Sequence, residues 1–331
     1  DNPVWNDHVA LGKWADLFLI APATSNTLSS MVHAKCNNLL IATYLSCTCP
    51  VYIAPAMDLD MYAHPANQQN IKELNLIGKK VLPVGEGFLA SGLHGKGRML
   101  EPEEIINNIS EDLKAELPLY GKKVLVTAGP TYEPIDPVRF IGNHSSGKMG
   151  FTLAEEAYRL GAQVTLISGP TSLEASSDID RHNVVTAEDM YVLALEHFTR
   201  ADIVIAAAAV ADFKPRLVGK QKIKKEGGIQ SIELDSTPDI LAQMGQLKQK
   251  QFLVGFALET EDEQSNAIKK IKSKNLDAIV LNSLNDIGAG FSGDSNKVTY
   301  INKNEITIPF ELKSKILVAK DIFSQILLQN A

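Results

Sequence analysis

The sequence has few of the features that mark membrane, nucleic-acid-binding or disulfide-rich proteins. It holds only three cysteines in 331 residues, and it contains no apolar run of ~18 or more residues that could span a bilayer. The chain has fewer positive than negative side chains, with 32 Lys and Arg and 39 Asp and Glu, which gives a formal net charge of -7. We therefore expect neither a membrane nor a nucleic-acid partner, and any phosphate site must be a local cluster of donors.

The cysteines and the first residues favour a reduced, cytoplasmic setting. Cys36, Cys47 and Cys49 are an odd number, and no His or second Cys pair nearby completes a zinc spacing. Residues 1–14 show no basic region followed by a long apolar stretch, so no secretory signal is predicted. The chain starts without Met and without a first strand, which suggests a fragment or a processed chain.

Short apolar runs alternate with helical patterns and predict two α/β domains, residues 1–119 and 120–331. In the first domain we expect strands over 16–22, 51–55 and 80–84, and a charged helix over 101–117. In the second we expect strands over 124–128, 163–168, 202–208, 252–257 and 278–281, helices over 148–160, 187–199, 238–247 and 262–274, a hairpin around Lys303 and a terminal helix from Leu312. This rhythm is typical of doubly wound, Rossmann-like three-layer domains.

The strongest signal is the loop between the first strand and the first helix of the second domain. It reads AGPTYEPIDPVRFIGNHSSGKMG, residues 128–150, and is much longer than an ordinary βα loop. A helix start with free backbone N–H groups favours a bound phosphate. A capping serine followed by closely packed glycines explains the same residues equally well. The residues at this helix start are Ser145, Ser146, Gly147 and Lys148.

This loop resembles the signature of phosphopantothenate-cysteine ligase, in the bacterial form fused to phosphopantothenoylcysteine decarboxylase. The likeness continues through AAAAVADF, KQKIKK, TPDIL, VGFALET and AIKKIKSKNLD, and covers Gly121 to Gln329. The resemblance implies a role in coenzyme A biosynthesis. CTP, with Mg2+, would activate the carboxylate of 4'-phosphopantothenate as an acyl-cytidylate and release pyrophosphate, and cysteine would then form the amide.

The resemblance also implies roles for single residues. Asn143 matches the family's catalytic Asn and would donate its amide to the acyl oxygen, although a turn explains it locally. Lys222 matches the essential Lys that neutralises phosphate charge, although a basic run is usually a solvated face. Asp212 would contact the ribose or a nucleotide-bound Mg2+, and a capping role explains it about as well. The other residues matched to the nucleotide site are Ala206, Ala207, Ala208, Thr237, Pro238, Asp239, Ile240, Phe256, Lys270 and Lys274.

Residues 1–119 resemble the flavin-dependent cysteine decarboxylase family, through APATSNT at 21–27, PAMDLDM at 55–61 and ASGLHGKGRM at 90–99. The resemblance implies FMN-dependent decarboxylation of phosphopantothenoylcysteine to phosphopantetheine. It places FMN against a turn whose hydroxyls and helix N-terminus suit a flavin or its phosphate. The residues of that turn are Ala23, Thr24, Ser25 and Asn26.

Three positions would carry the decarboxylation, and two of them depart from the family. His8 matches the active-site base, although a lone His on a helix is more often structural. Asp58 stands where the family has an Asn that holds the substrate carboxylate, and two carboxylates repel each other. Ser91 stands where the family has a proton-donating Cys, and a hydroxyl is a far weaker acid than a thiol. Because the first strand and the flavin-phosphate turn are also missing, we expect weak FMN binding.

Three other functions are weighed against this one. The first is a ligase with a vestigial or regulatory flavoprotein domain. The second is a non-catalytic flavin-binding or regulatory protein, which accounts for Asp58 and Ser91 but not for Asn143 and Lys222 together. A nicotinamide oxidoreductase fits a doubly wound pattern, but no G-x-G-x-x-G follows the strand at Val124. The resemblance further implies homo-oligomers, with ligase dimers and decarboxylase trimers, and only small-molecule substrates as partners.

Overall fold

The computed structural model describes residues 7–224, 231–259, 261–283 and 293–330. The chain forms two compact units, residues 1–114 and 115–331. Among the described residues, no helix combines the length and the apolar character needed to cross a membrane.

The first unit is built on a small parallel sheet. Its strands β1 (Phe18–Ala23), β2 (Val51–Pro55) and β3 (Lys80–Val81) lie in the order β1-β2-β3. Every residue of β2 is buried, because Val51 and Ile53 face one apolar cluster while Tyr52 and Ala54 face another. The remaining elements are α1 (His8–Trp14), α2 (Ser25–Val32), α3 (Leu39–Ser46), α4 (Leu59–Ala63), α5 (Pro65–Leu76), the antiparallel pair β4 (Gly85–Phe88) and β5 (His94–Arg98), and α6 (Pro102–Ala115).

The second unit alternates strands and helices around a larger sheet. Its elements are β6 (Lys123–Ala128), β7 (Tyr132–Pro134), β8 (Phe140–Gly142), α7 (Lys148–Arg159), β9 (Gln163–Ser168), β10 (Asp180–Asn183), α8 (Ala187–Phe198), β11 (Ile203–Ala206), β12 (Phe213–Pro215), β13 (Leu234–Ser236), α9 (Ile240–Leu247), β14 (Phe252–Glu259), α10 (Glu263–Ser273), β15 (Ala278–Ser283), β16 (Ser295–Asn296), β17 (Val298–Asn302), β18 (Thr307–Pro309), β19 (Lys313–Ser314) and α11 (Lys315–Asn330).

The large sheet has the strand order β10-β9-β6-β11-β14-β15-β17-β18. The strands from β10 to β15 are parallel, and β17 and β18 continue the sheet antiparallel. The chain moves outward from β6 to β9 and β10 and then returns to β11 on the other side of β6. Helices α7 and α11 pack on one face of the sheet, and helices α8, α9 and α10 pack on the other. The expectation of a parallel-rich α/β fold is confirmed.

The expected helices and core strands are present, with ends that differ by a few residues. The strand expected over 80–84 ends at Val81, just before Pro83, and the strand expected over 202–208 ends at Ala206, where the alanine run leaves the sheet. Strand β10 was not predicted, because its four residues are polar or charged and pair only at the edge of the sheet. The short pairs β7–β8 and β12–β13 were also missed.

Candidate functional site

A cavity of about 590 Å³ opens at the carboxyl ends of β6, β11, β14 and β15 in the second unit. The strand order reverses between β6 and β11, and ligands of open α/β sheets bind at such a reversal. The cavity therefore lies where the fold favours a ligand. Its lining includes Thr127, Asn143, Ser145, Ser146, Gly147, Lys148, Ala206, Ala207, Ala208, Asp212, Thr237, Pro238, Asp239, Ile240, Phe256, Lys270, Lys274, Asn282, Asn296 and Lys315.

The loop before α7 brings backbone donors to this cavity. Gly147 precedes the helix with φ 79°, a conformation that favours glycine, and Gly150 lies so close to β6 that an added Cβ would come within 2.5 Å of the Ala128 Cβ. The hydroxyl of Ser145 accepts a hydrogen bond from Gly147 N at 3.3 Å. These contacts hold the start of α7, and with it Lys148, at the end of β6.

The side chain of Asn143 is fixed against the alanine run that follows β11. Its Nδ2 donates to the carbonyl oxygens of Ala209 at 3.0 Å and of Val210 at 3.1 Å. Within the described residues these two carbonyls are the partners of Nδ2 and Oδ1 has none, so Oδ1 is the atom of the amide that can meet a ligand. Donation to a substrate oxygen would need that oxygen to replace one of the two carbonyls.

The segment after β11 and the start of α9 line the cavity together. The hydroxyl of Thr237 donates to Ala211 O at 2.6 Å, and Thr237 N donates to Asp212 O at 3.0 Å. Asp239 caps α9 by accepting from Ala242 N at 2.9 Å. The carboxylate of Asp212 is exposed and has no hydrogen bond within the described residues, so it can accept from a hydroxyl group or approach a cation.

Lys270 of α10 and Lys274, which follows the last residue of that helix, reach the cavity, and each is paired with a carboxylate. Lys270 Nζ lies 2.5 Å from Glu259 Oε1, and Lys274 Nζ lies 2.7 Å from Asp239 Oδ2. Burial acts to raise the pKa of Asp239, but the hydrogen bond from Lys274 and that from Ala242 N outweigh it, and the pKa is lowered. The Asp239 carboxylate is therefore charged at neutral pH, and the two contacts hold the lysine heads in place.

Lys222 is exposed and is not among the residues that line the cavity. Its neighbour Ile223 donates its N–H to Asp136 Oδ2 at 3.2 Å and accepts from Arg139 at 3.0 Å. The Arg139 guanidinium, together with backbone N–H groups, holds the pKa of Asp136 far below its usual range. Asp136 thus ties the Lys222 segment to the loop between β7 and β8.

Three residues of the cavity were not foreseen from the sequence. Asn282 is the second-last residue of β15, and its Oδ1 is buried without a hydrogen-bond partner among the described residues. Asn296 and Lys315 are only 4% and 7% exposed and lie on β16 and at the start of α11. These positions are more than 130 residues from the signature loop, and no local pattern distinguishes them from core or turn residues.

The turn assigned to FMN lies between β1 and α2 in the first unit. Ala23 is fully buried, and Thr24 caps α2 by accepting from Thr27 N at 3.3 Å. The hydroxyl of Ser25 donates to Asn67 Oδ1 at 2.7 Å, while Asn26 is exposed. The side chain of Asn26 and the first N–H groups of α2 are thus available to a ligand.

The positions linked to decarboxylation are only partly brought together. Ser91 Oγ donates to Asp58 Oδ1 at 2.9 Å, and Asp58 also caps α4 through Leu59 N at 2.9 Å. His8 opens α1, and no hydrogen bond joins it to Asp58 or Ser91 within residues 7–114. In the described part of the chain, no group of three or more His, Cys, Asp or Glu could hold a metal ion.

Comparison with known proteins places both units in families. Residues 119–329 match the family described as DNA/pantothenate metabolism flavoprotein C-terminal domain, and residues 4–114 match the flavoprotein family. The chain is 44% identical over 328 residues to the coenzyme A biosynthesis bifunctional protein CoaBC of Bacillus subtilis (strain 168), covering 98% of this chain and 81% of that protein. It is 53% identical over 329 residues to a cysteine/cysteine sulfinic acid decarboxylase of an unknown prokaryotic organism, covering 98% of this chain and 92% of that protein.

A solved structure supports the same assignment. The crystal structure of the C-terminal domain of a coenzyme A biosynthesis bifunctional protein CoaBC aligns with a TM-score of 0.56 and 41% identity, over 65% of this chain and 98% of that domain. Both halves of the chain therefore have matched relatives, and the order of the two domains is that of the bifunctional proteins. The chain belongs to the CoaBC-type family of bifunctional coenzyme A biosynthesis proteins.

Proposed function

We propose that residues 120–331 are a CTP-dependent ligase that joins 4'-phosphopantothenate to cysteine. The observation that supports this most strongly is the cavity at the sheet edge. It is lined by Asn143, by the loop of residues 145–148 and by eleven further residues that resemblance assigns to the nucleotide site. Those residues come from segments spread over more than 130 positions of the chain. A doubly wound fold explains why they lie together, because it brings the loops that follow its parallel strands to one edge of the sheet.

The reaction brings two anions together before it makes an amide. A carboxylate oxygen of the acid attacks the α-phosphorus of CTP, the bond to the β-phosphate breaks, and pyrophosphate leaves. The amine of cysteine then attacks the acyl carbon, CMP leaves with the bridging oxygen, and the amine loses a proton. Cations must screen the first step, and Lys148, Lys270 and Lys274 stand at the cavity for this purpose.

Asn143 is proposed to hold the acyl oxygen during both steps. It already donates to two carbonyls, so the substrate oxygen would replace one of these acceptors in a hydrogen bond of similar length. Loss of one such donor typically lowers a rate ~100- to 1,000-fold. We propose in addition that Lys222 reaches the phosphates from its exposed segment, and that Asp212 contacts the ribose or a nucleotide-bound Mg2+.

We propose that the first unit carries the second activity, decarboxylation of phosphopantothenoylcysteine with FMN. When bound, FMN supplies the redox chemistry of the thiol end of the substrate. The turn of residues 23–26 fits a flavin or its phosphate, because the Asn26 side chain is exposed and the first N–H groups of α2 can donate to a ligand. The side chains of Thr24 and Ser25 are held by hydrogen bonds within the first unit. His8 would act as the base, and the Ser91 hydroxyl, held by Asp58, would stand at the proton-donating position.

A second candidate for the first unit is decarboxylation of free cysteine or a related amino acid. The relative that is 53% identical bears that name, and Asp58 favours it on physical grounds. A carboxylate repels the carboxylate of phosphopantothenoylcysteine, but it attracts the α-ammonium group of a free amino acid. That ammonium group is absent from phosphopantothenoylcysteine, whose nitrogen is acylated.

Pyrophosphate release tests the ligase directly. The purified chain is incubated with 4'-phosphopantothenate, CTP, Mg2+ and cysteine, and each component is omitted in turn, with ATP replacing CTP in one series. We expect release that requires the acid and CTP, and strong suppression in Asn143→Ala and Lys222→Ala. Folded, CTP-binding protein that releases no pyrophosphate would refute the ligase.

The same preparation decides what the first unit does. Protein loaded with FMN is offered phosphopantothenoylcysteine or free cysteine, and carbon dioxide is measured. Turnover of the first substrate supports a bifunctional enzyme, turnover of the second supports the cysteine decarboxylase, and turnover of neither leaves a ligase with a vestigial or regulatory flavoprotein domain. We further propose a cytoplasmic homo-oligomer with ligase dimers and decarboxylase trimers, which sedimentation measurements would test.

A further inference from the structure

The first unit holds a pair of cysteines that neither proposed activity uses. Cys47 follows the last residue of α3, and Cys49 comes two residues later, just before Pro50 and the buried strand β2. Both thiols are free and partly exposed, whereas Cys36, on the other side of α3, is fully exposed. Cys47 also packs against the apolar cluster that covers one face of the small sheet. The pair is thus reachable from solvent and anchored in the core.

The two thiols lie beside each other and near one cation. Burial raises the pKa of Cys47, and the charge and the hydrogen bond of the Cys49 thiol raise it further, whereas the charge of Lys79 lowers it. Lys79 Nζ lies 5.6 Å from the centre of the Tyr44 ring, in the last turn of α3. A cation in this place stabilises a thiolate when one forms. Residues two apart have Cα atoms at most about 7.6 Å apart, close to the ~4.4 to 6.8 Å of a disulfide.

The backbone that carries the pair is in tight contact with helix α1. Gly12 of α1 is buried, and an added Cβ there would lie 2.8 Å from the carbonyl carbon and oxygen of Ser46 and 3.1 Å from Cys47 N. On the other side of the pair, Pro50 O accepts from Phe18 N at 2.9 Å, at the start of β1. Closely packed interiors transmit a local shift to their neighbours. A turn of the backbone at residues 46–49 therefore displaces α1.

We propose that Cys47 and Cys49 form a reversible disulfide that displaces α1, with a low-molecular-weight disulfide as the oxidant. The thiolate of one cysteine attacks a sulfur of the oxidant, and the first small thiol leaves. The second cysteine then attacks the protein sulfur of the mixed disulfide, the bond between Cys47 and Cys49 forms, and the second small thiol leaves. Two electrons pass from the cysteine pair to the oxidant, and the two thiol protons end on the released thiols.

The disulfide itself goes beyond the proposed activities, but its effect on them rests on the proposed decarboxylation. His8, the proposed base, opens α1, so a shift of that helix moves the base away from its working position. Cysteine, free or acylated, is the proposed substrate, and cystine is its oxidised form and belongs to the oxidant class. The oxidised pair thus slows the flavin unit when thiols are oxidised, and reduced cysteine restores it. Disulfides of cytoplasmic proteins usually have such transient, redox-sensing roles.

Mass spectrometry of the whole chain tests the disulfide. The reference protein is Cys36→Ser, which removes the exposed third cysteine, and the probe is oxidised glutathione in excess. We expect this protein to lose both free thiols, to carry no glutathione and to regain both thiols with dithiothreitol. Cys36→Ser/Cys47→Ser and Cys36→Ser/Cys49→Ser should each keep one bound glutathione, because no second thiol displaces it. A Cys36→Ser protein that carries two glutathiones, or that keeps both thiols free, would overturn the proposal.

Trypsin cleavage after Lys13 measures the effect on α1. Lys13 is exposed in the last turn of this helix and is the first Lys or Arg of the chain. The oxidised Cys36→Ser protein should be cut there several-fold faster than the same protein after treatment with dithiothreitol and its removal. Cys36→Ser/Cys47→Ser/Cys49→Ser should be cut at one rate after either treatment. A disulfide that leaves the cleavage rate unchanged would overturn the displacement of α1. Neither readout needs FMN or turnover, so the proposed decarboxylation can fail while the disulfide stands.

Discussion

The substitution Gly150→Ala tests whether the close packing of α7 on β6 is what positions the cavity. An alanine Cβ at this position would lie 2.5 Å from the Ala128 Cβ, 3.0 Å from the Ala128 Cα and 3.2 Å from Thr127 O. Ordinary carbon contacts are ~3.5 to 4.0 Å, so the start of the helix must move out by about 1 Å. Lys148 and the donors of the helix start would move with it.

The expected effect on stability is small and the effect on activity is large. Overpacking of this kind costs ~1 to 3 kcal/mol, while alanine gains up to ~1 kcal/mol over glycine inside a helix. The net loss of unfolding free energy is therefore at most about 3 kcal/mol. A displacement of ~1 Å in a catalytic arrangement can lower the rate ~100-fold.

Urea unfolding and pyrophosphate release on the same preparation measure the two effects. The control is Gly87→Ala, whose added Cβ would meet nothing closer than 3.5 Å. It should leave both quantities near the wild-type values. A Gly150→Ala protein that is folded and releases pyrophosphate at the wild-type rate would refute the reasoning, because the helix start would then not need its present position.

Three further changes test other parts of the account. Asp136→Asn should loosen the segment that carries Lys222 and increase its cleavage in limited proteolysis. Because the folded pKa of Asp136 is depressed, its contribution to stability is complete above the ordinary value of about 3.9 and is lost as the pH falls through the folded pKa. A difference in urea midpoint between wild type and Asp136→Asn that does not shrink in acid would contradict this. Lys315→Met should unfold at a higher urea concentration than wild type at neutral pH. This difference in urea midpoint should shrink as the pH rises toward 10.5, the ordinary pKa of a lysine, because the folded pKa of Lys315 lies below that value. Equal urea midpoints of the two proteins at all pH values would contradict the prediction. Ser91→Cys should speed carbon dioxide release by FMN-loaded protein, since a thiol is the stronger acid, and no change would show that Ser91 is not the donor.

The sequence predicted best those elements whose residues form a local, uninterrupted pattern, such as a run of apolar residues or a loop rich in glycine. The buried strands of the second unit were predicted from short apolar runs, and the strand over Gln163–Ser168 was predicted with its observed bounds. The loop that ends at Lys148 was predicted to carry function from its length and its glycines, and the structure puts that loop at the cavity. Each of these signals is local, so the sequence alone contains it.

The sequence was least informative where a residue depends on distant neighbours. Lys315 looks like any lysine at the start of a helix, and only the packing of β16, β19 and α11 buries it at the cavity. The two carbonyls that engage Asn143 come from a segment more than 60 residues away. Strand β10 forms only because β9 offers it an edge, and its own polar residues give no strand pattern.

The most direct measurement of the central claim follows one oxygen atom. 4'-Phosphopantothenate labelled with 18O in its carboxylate is incubated with the chain, CTP, Mg2+ and cysteine, and the nucleotide product is analysed by mass spectrometry. If the carboxylate attacks the α-phosphorus and cysteine attacks the acyl carbon, each turnover must yield CMP that carries one 18O from the acid. Formation of CDP, or of CMP without the label, would contradict the account.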